Sequence, residues 1–159
     1  AQSGRVNQPL LQRLLAEPYF ARLPPKSTGR DTFNAAWLDA ALATLSHAIE
    51  AADVQATLSE LTATSVVQAL HAHAQGVQEL IACGGGARNT DLLARLGRMA
   101  PGLTVRASKH YGLAVDQVEA VAFAWLAARF TQRLPGNVAG VTGALGPRVL
   151  GVLHLAAAR

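Results

Sequence analysis

Leucines at positions 10, 11, 14 and 15 recur at the spacing of one helical face, which predicts a short helix over Pro9–Ala16. The stretch PYFARLPPKSTGRD then breaks the pattern. Adjacent prolines push Leu23 and Pro24 toward extended backbone, and Gly29 marks a turn. Asn34 is a good N-cap for a second helix whose apolar side carries Leu38, Leu42, Leu45 and Ile49. Asp53 is expected to cap a long helix reaching about Ala74, with Val54, Leu58, Leu61 and Leu70 on one face and Gly76 closing it. VQELIACGGG reads as a buried strand running into a glycine turn. A helix follows from about Thr90 to Met99, ended by Pro101 and Gly102, and LTVRA is a second short strand. A strong helix is expected from Asp116 to about Arg133, stopped by Pro135 and Gly136, before a glycine-dotted tail that ends in the apolar segment VLGVLHLA.

Helices alternating with at least two short strands indicate an α/β class, helix-rich, with a small central sheet. The sheet is too small for a complete lobe, and further strands are expected from chain upstream. The opening AQSGRVN reads as the lead-in to a helix from something before it, so a truncated or excised product is expected. No internal repeat or low-complexity linker interrupts the 159 residues, which make one ordinary domain.

Half of the residues are hydrophobic, mostly Ala and Leu, which argues against disorder and for helices. The net charge of +4 comes from scattered basic residues rather than a run interleaved with aromatics, so a nucleic-acid surface is not indicated. Cys83 is the single cysteine, which rules out an internal disulfide and fits a reducing compartment. No apolar run reaches the roughly 20 residues of a bilayer span, and no secretory signal pattern is visible.

The sharpest local feature is ACGGGARNTDLL. Consecutive glycines let backbone N–H groups approach a ligand unobstructed, and the helix that follows adds unpaired donors and a positive dipole end. The phosphates or ribose of a nucleotide would suit it. A plain strand–helix turn capped by Asn89 or Thr90 fits the local pattern equally well. A dinucleotide fingerprint is not met, because the third glycine of GxGxxG would fall on Asn89.

PPKSTGR copies the end of a phosphate loop in Lys26, Ser27 and Thr28, but Pro25 stands where the glycine must be. A polar loop pinned by prolines is the plainer reading. Asp116 and Glu119 approximate a capping box, and this structural role outweighs a ligand role for Glu119 on the local pattern alone. The five histidines form no metal-ligand spacing. Cys83, at the end of a buried strand, reads as a small core residue with no paired base.

Taken in order, PYFARLPPKSTGRD, DVQATLSELTA, CGGGARN, DQVEAVAFAWLA and PGNVAGVTGA resemble the anhydro-N-acetylmuramic acid kinase family, from about Gly4 to Leu153. The resemblance implies the C-terminal lobe of a two-lobe, ribonuclease-H-like fold of the sugar-kinase, heat-shock-chaperone and actin ATPase superfamily, with the N-terminal lobe absent. It implies ATP-dependent phosphorylation of 1,6-anhydro-N-acetylmuramic acid with hydrolysis of the anhydro bridge. The product is N-acetylmuramic acid 6-phosphate, in cytoplasmic recycling of bacterial cell wall. ATP with Mg²⁺, the amino-sugar substrate, the missing lobe and a homo-oligomer are the implied partners, with neither nucleic acid nor membrane among them.

Residue by residue, the resemblance assigns Gly84, Gly85, Gly86 and Asn89 to the nucleotide and Glu119 to the sugar side of the cleft. Lys26, Ser27, Thr28 and Arg30 fall in a cleft loop. No residue present matches the family's general-base aspartate, and the N-terminal phosphate loop is missing, so the chain alone is expected to be inactive. Asp31 replaces a more usual glutamate, and SKHYG stands where an acidic stretch is common, with Lys109 and His110 reversing the local charge. Two other readings stay open: a non-catalytic nucleotide-binding or scaffold fragment, and a different sugar kinase of the same superfamily.

Overall fold

The computed structural model describes residues 1–155. The last residue of the VLGVLHLA segment therefore lies outside the described residues. The chain is a helix-rich α/β structure with a two-stranded parallel sheet.

Helix α1 spans Gln8–Leu15. Asn7 caps it by accepting from the Leu10 amide at 2.9 Å, and Pro9 sits in the first turn, where its missing N–H costs nothing. The one-turn helix α2 (Pro18–Ala21) follows, then α3 (Ala35–Leu42), capped as expected by Asn34, which accepts from the Trp37 amide. The leucine periodicity carries this helix too far. It ends at Leu42, where the Thr44 hydroxyl donates to the Ala41 carbonyl at 2.7 Å and offers the backbone a turn in place of another helical bond. Leu45 and Ile49 still reach the same core, from irregular chain.

The spine is α4, Ala51–His73. Its N-cap is Glu50, with no side-chain bond, so the expected Asp53 cap does not form. Asp53 lies inside the first turn, and its carboxylate accepts from the Arg5 amide at 2.7 Å. The Thr57 hydroxyl accepts from the Asn7 amide and donates to the Asp53 carbonyl. These bonds sew the N-terminal segment onto the start of α4. A side chain at Gly4 would run into the Ala52 carbonyl, so only glycine allows that approach. The helix ends at His73, and Gly76, at φ +80°, lies in the turn beyond.

Two cores share this spine. One joins Leu10, Leu11 and Leu14 of α1 with Ala41 of α3 and Leu61 of α4. The other joins Ala63 and Val67 of α4 with Leu96 and Ala100, at the end of α5 (Thr90–Met99). Leu80 of β1 (Glu79–Ala82) and Val105 of β2 (Thr104–Ala107) pack on the second core. The strands pair in parallel, Glu79 with Thr104 through Ala82 with Ala107.

The first strand is not buried as the sequence indicated. Only one face of the sheet is covered, so Ile81 on the other face is about half exposed. Cys83 is exposed too and is no core residue. Helix α6 begins at Val118, two residues later than expected, and runs to Thr131 with no buried residue; Phe123 is 71% exposed. The short α7 (Ala139–Thr142) and an extended tail follow. Asn137 holds the tail loop closed, donating to the Gly146 carbonyl and accepting from the Arg148 amide.

A polar knot fastens α5 to α4. Arg95, only 6% exposed, donates from Nε to Asp91 at 2.8 Å and from Nη1 to Glu60; Ser59 also donates to Asp91. The guanidinium of Arg95 holds the Asp91 carboxyl below its ordinary value, against the opposing effect of burial. Replacing Arg95 with Met leaves two carboxylates in a largely buried seam without their partner. It is expected to lower stability by about 3 kcal/mol in chemical denaturation. Because Asp91 titrates lower in the folded state, its contribution is complete above the unfolded carboxylate value near pH 4 and is lost as pH falls through the lowered one. The difference between wild type and Arg95→Met should therefore shrink in that acidic range.

Candidate functional site

The two strands end side by side, Ala82 opposite Ala107, and each leads into a short 3-10 turn: Gly85–Arg88 after β1 and Ser108–Tyr111 after β2. Ligands of open parallel sheets bind outside these carboxyl ends. The strand and the helix are both short and well formed, so the glycine run between them must absorb the whole change of direction. It does so at Gly84, with φ +66° and ψ −164°, a conformation available to glycine almost alone.

Gly84 donates to the Val115 carbonyl at 2.9 Å. Ala87 and Asn89 donate back to Gly84 and Gly86, closing the turn. Among the described residues, the amides of Gly85 and Gly86 have no backbone acceptor. A Cβ built at Gly84, Gly85 or Gly86 meets nothing within 4 Å. The turn is thus bare main chain facing open space, with two donors unused.

Of the two cap candidates in the plain-turn reading, Asn89 is the one that caps. Its side-chain oxygen accepts from the Leu92 amide at 3.0 Å and caps α5, which leaves only its amide nitrogen for a ligand.

The segment after β2 is drawn against this turn. The Gly84–Val115 hydrogen bond and an ion pair between Arg88 and Asp116 clamp residues 115–116 to the glycine loop. The capping box expected from Asp116 and Glu119 therefore does not form. Arg88 takes the Asp116 carboxylate, and Gln117 stands at the N-cap of α6 without a side-chain bond. Glu119 follows three residues after the clamped Asp116, in the first turn of α6. Glu119 is exposed and makes no hydrogen bond or ion pair among the described residues.

Three features here gave no signal in the sequence: the Arg88–Asp116 clamp, the Arg95 knot behind the turn, and Ser108. Ser108, just after β2, is 6% exposed, and its buried hydroxyl has no partner among the described residues, an uncommon state for a buried polar atom. On the open sheet face, Glu79 accepts from Tyr111 and pairs with Arg106 at 3.3 Å, while Arg106 contacts His110. The Glu79 carboxylate raises the Tyr111 hydroxyl above its ordinary value, since it favours the protonated phenol. Among the described residues no group of three or more His, Cys, Asp or Glu side chains converges as a metal site would require.

The cleft-loop residues are not brought to this end by any described bond. Lys26 donates to the carbonyls of Tyr19 and Phe20, at 3.3 and 2.9 Å, and lies 5.0 Å from the Tyr19 ring centre. It thereby satisfies the end of α2. Ser27, Thr28 and Arg30 are exposed on the adjoining loop.

The sequence profile of the anhydro-N-acetylmuramic acid kinase family matches residues 1–156. The chain belongs to the anhydro-N-acetylmuramic acid kinase family. It is 56% identical over 155 residues to the anhydro-N-acetylmuramic acid kinase of Cupriavidus pinatubonensis, covering 97% of this chain and 41% of that one. It is 54% identical over 158 residues to that of Burkholderia vietnamiensis, at the same coverage. The enzyme of Xanthomonas campestris pv. campestris is 49% identical over 154 residues, with 97% of this chain and 40% of that one aligned. The chain thus spans about two fifths of the length of these relatives. This is a phosphotransferase family by the names its members carry. Among the described residues no helix is long and apolar enough to cross a membrane.

The turn geometry separates the glycines in a testable way. Gly84→Ala forces a side chain onto a glycine-only conformation and is expected to cost about 2 kcal/mol of stability. Gly85→Ala, with ordinary φ and open space, should stay within about 0.5 kcal/mol of wild type in the same denaturation experiment. Asn89→Ala should lose about 1 kcal/mol with the α5 cap.

Proposed function

We propose that this chain is the C-terminal lobe of a two-lobe kinase of the ribonuclease-H-like, actin-like ATPase fold. With an N-terminal lobe it would use ATP to convert 1,6-anhydro-N-acetylmuramic acid into N-acetylmuramic acid 6-phosphate in cytoplasmic recycling of cell-wall sugars. The observation that carries this reading is the open glycine turn with two unused amides at the carboxyl end of a parallel sheet, in a chain of this family.

Each residue then has a role that its surroundings allow. The amides of Gly85 and Gly86 donate to nucleotide oxygens. Gly84 makes the bend, and Asn89 fixes the helix behind it while its side-chain nitrogen can reach the ligand. Glu119, an exposed carboxylate three residues after the clamped Asp116, accepts hydrogen bonds from sugar hydroxyls. In the reaction water opens the anhydro bridge as the γ-phosphoryl group passes to the sugar. The general base for that water is assigned to the N-terminal lobe. Mg²⁺ supplies charge neutralisation on the phosphates when bound, and the described residues offer no acidic cluster to hold it.

The loop bearing Ser27, Thr28 and Arg30 is assigned to the rim of the interlobe cleft. The apolar side chains left uncovered on opposite sides of α6, Val121 and Trp125 on one and Phe123 on the other, support burial against the N-terminal lobe and a homo-oligomeric assembly. Neither nucleic acid nor membrane belongs to this reading.

Calorimetry with ADP tests the central point. Binding by the wild type should weaken at least tenfold in Gly85→Val, whose branched side chain covers the free amides. Equal binding by the two would remove the glycine turn from the site. The isolated 159-residue chain should transfer no phosphate from ATP to the anhydro sugar. Measurable turnover by it would overturn the assignment of the general base to another lobe.

A further inference from the structure

A cavity of about 420 Å³ lies between α2 with the loop that carries Lys26 and the C-terminal half of α4. This is within the size range of small-molecule sites. Val66, Ala69 and Ala72 of α4 form an apolar floor, and Tyr19 and Phe20 stand at one wall. Arg22, Lys26 and His73 bring basic groups to the same lining, and no carboxylate belongs to it.

The three basic groups are not equivalent. Lys26 directs two of its three N–H donors to the Tyr19 and Phe20 carbonyls, which fixes the ammonium in place and leaves one donor. Neither the Arg22 guanidinium nor the His73 ring has a hydrogen-bond or ion-pair partner among the described residues. Cationic side chains gathered without a counter-charge, beside an apolar floor, select for a molecule with both properties. An anionic head satisfies the cations, and a flat apolar body covers the floor.

We propose that this cavity is a binding site for a small organic anion with an apolar ring body, either a carboxylate or a phosphate monoester. It is separate from the glycine turn and does not depend on the kinase reading. The Lys26 loop acquires a role in it that the cleft assignment does not supply. Arg22 gives the forked contact to the head group, Lys26 a fixed charge, and Ala69 and Ala72 the surface on which the ring lies.

Methyl NMR on the folded protein carrying this chain tests the proposal, read at Val66, Ala69 and Ala72. The probes are phenyl phosphate, benzoate, inorganic phosphate and benzyl alcohol. Phenyl phosphate or benzoate should move these methyls saturably. Whichever of the two binds more tightly names the head group. Inorganic phosphate, lacking the ring, and benzyl alcohol, lacking the charge, should each bind at least tenfold more weakly. Arg22→Gln should weaken the ring anions about tenfold. Ala69→Phe, at an exposed helix position, should abolish the response while the methyl spectrum elsewhere stays folded. No saturable shift with either ring anion overturns the proposal. So does equal binding by Arg22→Gln, by Ala69→Phe or of benzyl alcohol. Equal binding of inorganic phosphate would remove the apolar floor from the site and overturn it as well.

Discussion

The arrangement depends on one guanidinium. Arg95 sits on the buried side of α5 and reaches a carboxylate one turn back on its own helix and another across on α4. Two negative groups in that seam would repel each other and resist leaving water; a single planar cation between them answers both. Since α5 is held there, its first turn is held as well, and the glycine loop inherits its position from the knot behind it. The open amides are exposed, but their placement comes from a place solvent scarcely reaches.

The sheet contributes little to the packing of the chain. Two short strands give few ladder bonds, and one face stays uncovered, so the strands act as guides that end at the same level. Their pairing puts the two loops next to each other. A main-chain bond from Gly84 and the Arg88–Asp116 pair then join those loops. The ion pair is solvent-exposed on both sides and adds little stability. Its importance is orientation, because it ties the lead-in to α6 to the glycine loop.

Much of this is legible in the chain because the signals are local. Asn34 and Asn89 are caps whose chemistry works over three residues: Asn34 forms as expected, and Asn89 is the one of two cap candidates that does. The span Thr90–Met99 is bounded by an N-cap and a Pro–Gly stop, and both limits hold. The failures come where a distant group prevails over a local one. Asp53 has the chemistry of a cap, but the Arg5 amide claims its carboxylate from far along the sequence. Asp116 has the same chemistry and is taken by Arg88. Cys83 and Ile81 look buried in the sequence because apolar strand residues in a parallel sheet usually are; whether both faces are covered depends on packing that periodicity does not encode. The glycine turn itself carries two meanings in the sequence, a structural bend and a ligand loop. The structure gives it the first through Asn89 and leaves room for the second at Gly85 and Gly86.

One long helix serving two hydrophobic clusters has a dynamic consequence. The cluster around Leu10 and Leu61 and the cluster around Val67 and Leu96 share no side chain, only the rod of α4 between them. Two clusters joined only by one helix are expected to open locally and independently, as two foldons on a common axis. The middle of that axis, where Glu60 meets Arg95, would then be the last stretch of backbone to exchange its amide protons with solvent.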